Sequence, residues 1–311
     1  MRKFIMGEPH GFGNVYYSMM AYLDNISEQE GIEVYINGDL IDRGYESAEI
    51  LLDVKKRVLD NKYKIEYLGG NHELLMHKEY RKRKKGKPFT PFNNWYDSGG
   101  MITDDMLWEL LNYDESKVME VVDFVNNLKI YHKFPEKINN KPIVLVHAAC
   151  PKTVKDECTM LIKDNDKIVQ ACVWTVNGGY IQFTPDCIVR SLPDRIGHPK
   201  YFSIVGHTPN AMSIGAEYHL DENYLNIDGG TSRYTQGFFE FNHFPLVEVC
   251  DGYLKILTFN CNNEIIYGNY FDGDRFIPFN EEELKETRSH LNKDVKIKKM
   301  SINEDGIAGY W

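Results

Sequence analysis

Glu8, His10, Asp39, Asp42, Arg43, Asn71, His72, His147 and His207 each stand at or just beyond the end of an apolar run, most of them beside a glycine. Carboxylates and imidazoles in one set offer oxygen and nitrogen donors to a cation, and a mixed set suits Mn²⁺, Fe or Zn²⁺ better than Ca²⁺. Glu8 and His10 are two apart, so an extended or loop backbone turns both toward one side. In Tyr35-Ile36-Asn37-Gly38-Asp39-Leu40-Ile41-Asp42-Arg43-Gly44, an apolar run ends in two carboxylates three apart and an arginine. Gly38 and Gly44 allow the turns that aim these charges into one cleft, with Asp39 free to ligate metal. Alone, this stretch also describes an ordinary strand-to-loop junction with a surface ion pair, and a lone His147 describes a satisfied core histidine. Recurrence separates the readings, because five successive apolar segments end in such residues.

The segments themselves read as strands. Residues 3–6, 34–36, 64–68, 141–146, 201–205 and 224–227 are short, apolar and rich in β-branched or aromatic side chains. Between the first three lie apolar repeats at helical spacing, over residues 14–25 and 47–59. This β-α-β-α-β order predicts an α/β fold whose polar residues gather beyond the strand ends, where ligands bind in open α/β sheets. Residues 74–128 read as mainly helical, interrupted by the basic run Arg81-Lys82-Arg83-Lys84-Lys85-Gly86-Lys87 and by Pro88-Phe89-Thr90-Pro91. That run holds an acidic partner or is simply a solvated loop. In Trp95-Tyr96-Asp97-Ser98-Gly99-Gly100 the glycine pair permits close backbone approach, and the aromatic residues are expected to pack. Further β-structure is expected over 238–249, 253–259 and 264–270, with a turn at Asn262-Asn263, then a charged helix over 281–291.

Totals exclude several classes. With 311 residues, 42% hydrophobic and 13% aromatic, the chain is globular and its apolar runs fall far short of a membrane span. Residues 1–8 meet charge too soon for a signal peptide, so a cytoplasmic location is the expectation. Cys150, Cys158, Cys172, Cys187, Cys250 and Cys261 lack metal-ribbon or disulfide-framework spacing and read as reduced thiols. A net charge of -10 disfavours general binding to nucleic acid or anionic membrane.

Taken together, Gly38-Asp39-Leu40-Ile41-Asp42-Arg43-Gly44, Gly70-Asn71-His72-Glu73, Val146-His147-Ala148, Gly206-His207-Thr208-Pro209 and Ile227-Asp228-Gly229-Gly230 resemble the phosphoprotein phosphatase branch of the calcineurin-like metallophosphoesterases. That family includes bacterial serine/threonine phosphatases and symmetrical diadenosine tetraphosphate hydrolases. The likeness spans roughly residues 3–250. It implies a β-sandwich flanked by helices, with a dinuclear metal site at the strand ends, over a catalytic domain of residues 1–275 that carries a helical insertion near 74–128. Residues 276–311 form a C-terminal extension.

By the same resemblance, Glu8, His10 and Asp39 bind the first of two divalent ions, expected to be Mn²⁺ with Fe or Zn²⁺ as alternatives. Asp39, Asn71, His147 and His207 bind the second. His72 is the general acid, Asp42 orients it and Arg43 binds phosphate. Two departures stand out. The family usually has aspartate where this chain has Glu8, whose extra methylene repositions its ligation. It also has an arginine two residues after the tryptophan of Val173-Trp174-Thr175-Val176; Val176 cannot bind phosphate, so Arg190, Arg195 or Arg233 substitutes, or one arginine fewer is used. Ser98, where the family often has asparagine, is a milder change. The implied activity is phosphomonoester hydrolysis on a phosphorylated protein, foremost phosphoserine or phosphothreonine, with tyrosine phosphate or a small phosphoester also open. Dinucleoside polyphosphate hydrolysis, and a degenerate phosphatase that binds a phosphorylated partner without turnover, are the alternatives.

Overall fold

Period-two alternation divides each central strand between two cores. In β1 (Arg2–Met6), Phe4 and Met6 enter one buried cluster while Ile5 enters another. The computed structural model describes residues 1–86, 94–174, 198–207, 224–230, 243–292 and 294–296, with backbone alone at 187–188, 220–221, 300–302 and 308–310. After β1 the chain runs through α1 (Gly13–Ser27), β2 (Ile32–Ile36), α2 (Ser47–Asp60), β3 (Lys64–Tyr67) and α3 (Asn71–Lys84). Three further helices follow, α4 (Asn94–Asp97), α5 (Gly100–Leu110) and α6 (Glu115–Asn126). The second half holds β4 (Tyr131–Ile138), β5 (Lys141–Val146), β6 (Cys150–Pro151), α7 (Lys167–Trp174), β7 (Cys187–Ile188), β8 (Phe202–Val205), β9 (Leu220–Asp221) and β10 (Tyr224–Asn226). It closes with β11 (Phe244–Val249), β12 (Leu254–Phe259), β13 (Ile265–Phe271), β14 (Phe276–Pro278), α8 (Glu281–Ser289), β15 (Met300–Ile302) and β16 (Ala308–Tyr310).

A seven-stranded sheet runs β14-β13-β12-β11-β1-β2-β3, and a five-stranded sheet runs β4-β5-β8-β10-β9. β1, β2 and β3 are parallel, as the β-α-β-α-β order requires, whereas β11 to β14 extend the sheet antiparallel. Ile5, Tyr35, Val247 and Ile256 of the first sheet meet Ile143, Leu145, Phe202, Ile204 and Leu225 of the second in one buried cluster. Fully burying each such side chain contributes about 1.5–3 kcal/mol, so the sandwich core fixes the positions of the strand ends above it. Outward-facing Val34, Ile36, Val144 and Val146 join the larger cluster formed with the helices. The fold is therefore the expected helix-flanked sandwich.

The strands and helices expected from the sequence form with small changes of boundary, and β4, α7 and the two- or three-residue strands β6, β7, β9, β14, β15 and β16 are added. β4 was hidden by Pro135 and its charged neighbours; its pairing with β5 slips register between Lys133 and Lys137, the kind of irregularity that accommodates proline. The expected strand segment 238–242 and the Pro88–Pro91 stretch lie outside the described residues. Beyond residue 275, β14 pairs with β13, and Arg288 Nε in α8 donates to the Ile265 carbonyl at 2.8 Å. Cys150, Cys158, Cys172, Cys250 and Cys261 are free thiols. Among the described residues no helix is long and apolar enough to cross a membrane.

Candidate metal centre

The loops after β1, β2, β3, β5 and β8 converge, and close backbone approach explains their glycines. A Cβ on Gly70 would stand 2.3 Å from Asp39 Oδ1, and one on Gly206 would stand 1.8 Å from Glu8 Oε1. Several of the polar residues themselves adopt the left-handed backbone that favours glycine: φ is 44° at His10, 46° at Asp39, 73° at Asp42 and Arg43, and 69° at His207. Each such non-glycine residue costs of order 1 kcal/mol or more, and persists because the surrounding packing over-determines it.

Asp39 lies at the centre. Its Oδ1 is 3.4 Å from His147 Nε2, while its Oδ2 is 3.5 Å from His10 Nε2 and 3.8 Å from His72 Nε2. The two oxygens thus face two different imidazole groups. Two sets of ligand atoms lie close enough to share a cation, His10/Asp39/His72 and Asp39/His147/His207. Asn71, the first residue of α3, adds its Oδ1 at 3.1 Å from His147 Nε2. His147 Nδ1 lies 2.8 Å from the Asn37 carbonyl, which fixes the proton on Nδ1 and turns Nε2 toward the centre. Against the opposing effect of burial, His147, His72 and His10 hold the Asp39 carboxyl well below its usual range. His10 is held well below the ordinary imidazole value by burial and by Arg43, whose Nη1 lies 3.2 Å from its Nε2.

Glu8 sits beside the second set. Its Oε1 is 3.2 Å from His147 Nδ1 and accepts the His207 backbone N–H. Oε2 is buried with no hydrogen-bond partner among the described residues. Burial, reinforced by the nearby Asp228, pushes the Glu8 carboxyl up to about 8. Although burial alone would lower it, Asp39 and Glu8 hold the His147 imidazole well above its usual value. An unsatisfied buried carboxylate oxygen among crowded acids and imidazoles fits a divalent cation, because a cation meets both the missing contact and the excess negative potential. Of the six residues expected to hold metal, His10, Asp39, His147 and His207 are drawn into the two compact sets. Asn71 adjoins the second, and neither set includes Glu8.

The neighbouring corner is organised differently. His72 Nδ1 and Asp42 Oδ2 are 2.6 Å apart. Trp95 Nε1 donates to the same Oδ2 at 2.8 Å, and Thr103 Oγ1 donates to Asp42 Oδ1 at 2.6 Å. Trp95 therefore does more than the packing its sequence context predicted, and Thr103 carried no separate sequence signal because its partner lies 61 positions away. Glu73 closes the floor: Oε2 accepts from Asp39 N at 2.9 Å and Gly70 N at 2.8 Å, and Oε1 from Leu40 N at 3.1 Å and the Tyr67 hydroxyl. Its place three residues after Gly70, at the start of α3, was the available signal, a helix-capping glutamate. Trp174 contacts the His207 ring at 6.2 Å between centroids, whereas Val176, Arg190, Arg195, Thr208, Pro209 and Arg233 lie outside the described residues.

The calcineurin-like phosphoesterase family model matches residues 1–226. Among solved structures, the chain is similar to a protein serine/threonine phosphatase from Saccharomyces cerevisiae at TM-score 0.52 and 16% identity, covering 84% of this chain and 80% of that one. A cold-active protein-tyrosine phosphatase from a Shewanella species gives TM-score 0.44 and 14% identity, with 90% and 80% covered. A candidate diadenosine tetraphosphatase gives TM-score 0.44 and 14% identity, with 89% and 92% covered. No curated protein matches the sequence.

Proposed function

The chain belongs to the calcineurin-like phosphoesterase family and is a metal-dependent phosphoester hydrolase, and from that premise we propose that it is a serine/threonine protein phosphatase. The observation that carries this reading is the His72–Asp42 pair at 2.6 Å beside Arg43, a proton donor held next to a phosphate-binding cation. Asp39, Asn71, His147 and His207 would hold one metal ion, and His10, Asp39 and Glu8 would hold the other; Glu8 Oε2, without a partner among the described residues, is free to ligate. When bound, two divalent ions polarise the phosphoryl group and lower the pKa of an attacking water, so no covalent enzyme intermediate is required. Mn²⁺ is the proposed ion, and Fe or Zn²⁺ suits the same donors.

His72 carries a proton on Nε2 to the leaving serine or threonine oxygen, while Asp42 accepts from Nδ1, fixes the ring and stabilises its doubly protonated form. Trp95 and Thr103 keep the Asp42 carboxylate in place by filling one position on each oxygen. Arg43 binds the transferred phosphoryl oxygens through its guanidinium fork. Residues 1–275 make up the proposed catalytic unit and residues 276–311 an extension, whose strand β14 pairs with β13.

The test is Mn²⁺-dependent phosphate release from a phosphothreonine peptide, compared with cleavage of diadenosine tetraphosphate. Turnover of the peptide that disappears in Asp39→Asn and His72→Asn is the expected result. Efficient release of ADP from diadenosine tetraphosphate with negligible peptide turnover would overturn the protein-phosphatase assignment.

A further inference from the structure

The helix that begins with Asn71 and His72 ends in a concentration of positive charge. Within α3 and its C-cap, Lys78, Arg81, Lys82 and Lys85 fall at i, i+3, i+4 and i+7, the spacing of one helix face. Arg81, Lys82 and Lys85 are exposed and Lys78 is half-buried. Arg83, in the same run, faces the other way: its Nη2 donates to Asp104 at 2.7 Å and to Tyr96 at 3.0 Å, and its guanidinium stacks on Tyr80. The run thus contains one structural cation and an outward stripe. Among the described residues the stripe has a single ion pair, Lys82 with Glu79 at 3.5 Å.

Like charges at i+3 and i+4 repel, and part of this crowding answers the dipole at the helix C-terminus. The rest is uncompensated: burial and then Lys82 lower the Lys78 ammonium pKa. The stripe is also an exception to a chain with net charge -10. A long polyanion would meet repulsion over most of that surface, whereas a short acidic segment meets only the stripe.

We propose that the outward face formed by Lys78, Arg81, Lys82 and Lys85 docks an acidic peptide segment that lies beside the phosphorylated residue of a protein substrate. The substrate part of this inference rests on the protein-phosphatase reading. The stripe lies about 9 to 20 Å along the helix from His72, at 1.5 Å per residue. Because residues 71–77 of that helix are buried, a peptide passes around the helix rather than along it, and about three to six extended residues are the least that span the distance. The preferred substrate therefore carries glutamates or aspartates from about the third residue away from the phosphorylated one.

The experiment uses the full chain and its Lys78→Gln/Arg81→Gln/Lys82→Gln/Lys85→Gln variant, because glutamine keeps helix propensity while removing charge. Fluorescence anisotropy follows an unphosphorylated hexaglutamate peptide at low salt, and KM is measured for phosphothreonine peptides with and without that run. The parent binds the acidic peptide and loses it with added salt. The variant shows weaker binding and a KM about tenfold higher for the acidic substrate alone, the sum expected of a few exposed ion pairs. Its kcat and its hydrolysis of p-nitrophenyl phosphate stay unchanged. Equal peptide binding by parent and variant overturns the docking face, and so does tighter stripe-dependent binding of an oligouridylate of matched charge. Stripe-dependent peptide binding without phosphothreonine turnover leaves the face standing and removes the phosphatase reading instead.

Discussion

Two corners of one centre solve opposite problems. Around Asp42 every polar demand is met within the chain: Trp95 and Thr103 donate to its carboxylate, and His72 stands against it. Around Glu8, the carboxyls of Glu8, Asp39 and Asp228 and the imidazoles of His147 and His207 crowd together, and one buried oxygen of Glu8 lacks a partner among the described residues. The first corner is complete once the fold forms. On the proposed reading the second is completed by cations, so that fold and metal would divide the task between proton delivery and electrophilic activation.

The sharpest way to break this division is His72→Asn. Loss of a positioned general acid should lower kcat by about 10²- to 10⁴-fold. Because that corner is proposed to be metal-independent, calorimetric Mn²⁺ stoichiometry should remain that of the parent; a missing equivalent would place His72 among the ligands. Next in size is Trp95→Phe, which deletes one donor to Asp42 while retaining an aromatic ring. Its kcat should fall about 10- to 100-fold, as for other outer-shell partners, with KM little changed. A parent-like kcat would leave Trp95 with packing alone.

The Glu8 corner responds to pH. Burial and Asp228 push the Glu8 carboxyl up to about 8, so it bears a proton near neutrality in the metal-free protein, and Asp39 and Glu8 favour the protonated His147 imidazole against burial. Ligation displaces those protons, and Mn²⁺ affinity should therefore rise with pH, up to about tenfold per unit for each proton displaced. Titration calorimetry in buffers of different ionisation enthalpy reads the released protons directly; a pH-independent affinity would contradict a ligand role for these groups. The smallest expected effect is that of Glu8→Asp. The shorter side chain withdraws from His147 and the His207 N–H and should change the affinity of one Mn²⁺ equivalent by less than about tenfold, leaving the other as it was.

The contrast also decides what the sequence could reveal. Asp39, His147 and His207 were legible because each follows an apolar strand, and strand ends are local features. The α/β order was legible in the strand and helix patterns, but the sandwich came only through the family resemblance: Phe4, Ile5 and Met6 are apolar without interruption because they feed two cores, so no alternation marks which face is which. The Asp42 corner was only half legible: His72 and Asp42 lie in compact motifs, while Trp95 and Thr103 reach it through tertiary contacts spanning 53 and 61 positions. β4 escaped because Pro135 and its charged neighbours obscure alternation. The orientation of Glu8 could not be read at all, since it depends on where Gly206 leaves room for a carboxylate.

The left-handed backbone at Arg43 has a consequence for how this protein would decay. Glycine there would relieve strain of order 1 kcal/mol. Arg43→Gly should therefore melt no lower than the parent while losing the phosphate contact proposed for its guanidinium. At that position stability gives no support to the proposed chemistry, so a lineage released from selection for turnover would meet no barrier of stability to losing the arginine. Screening variants for thermal robustness alone would not protect the catalyst.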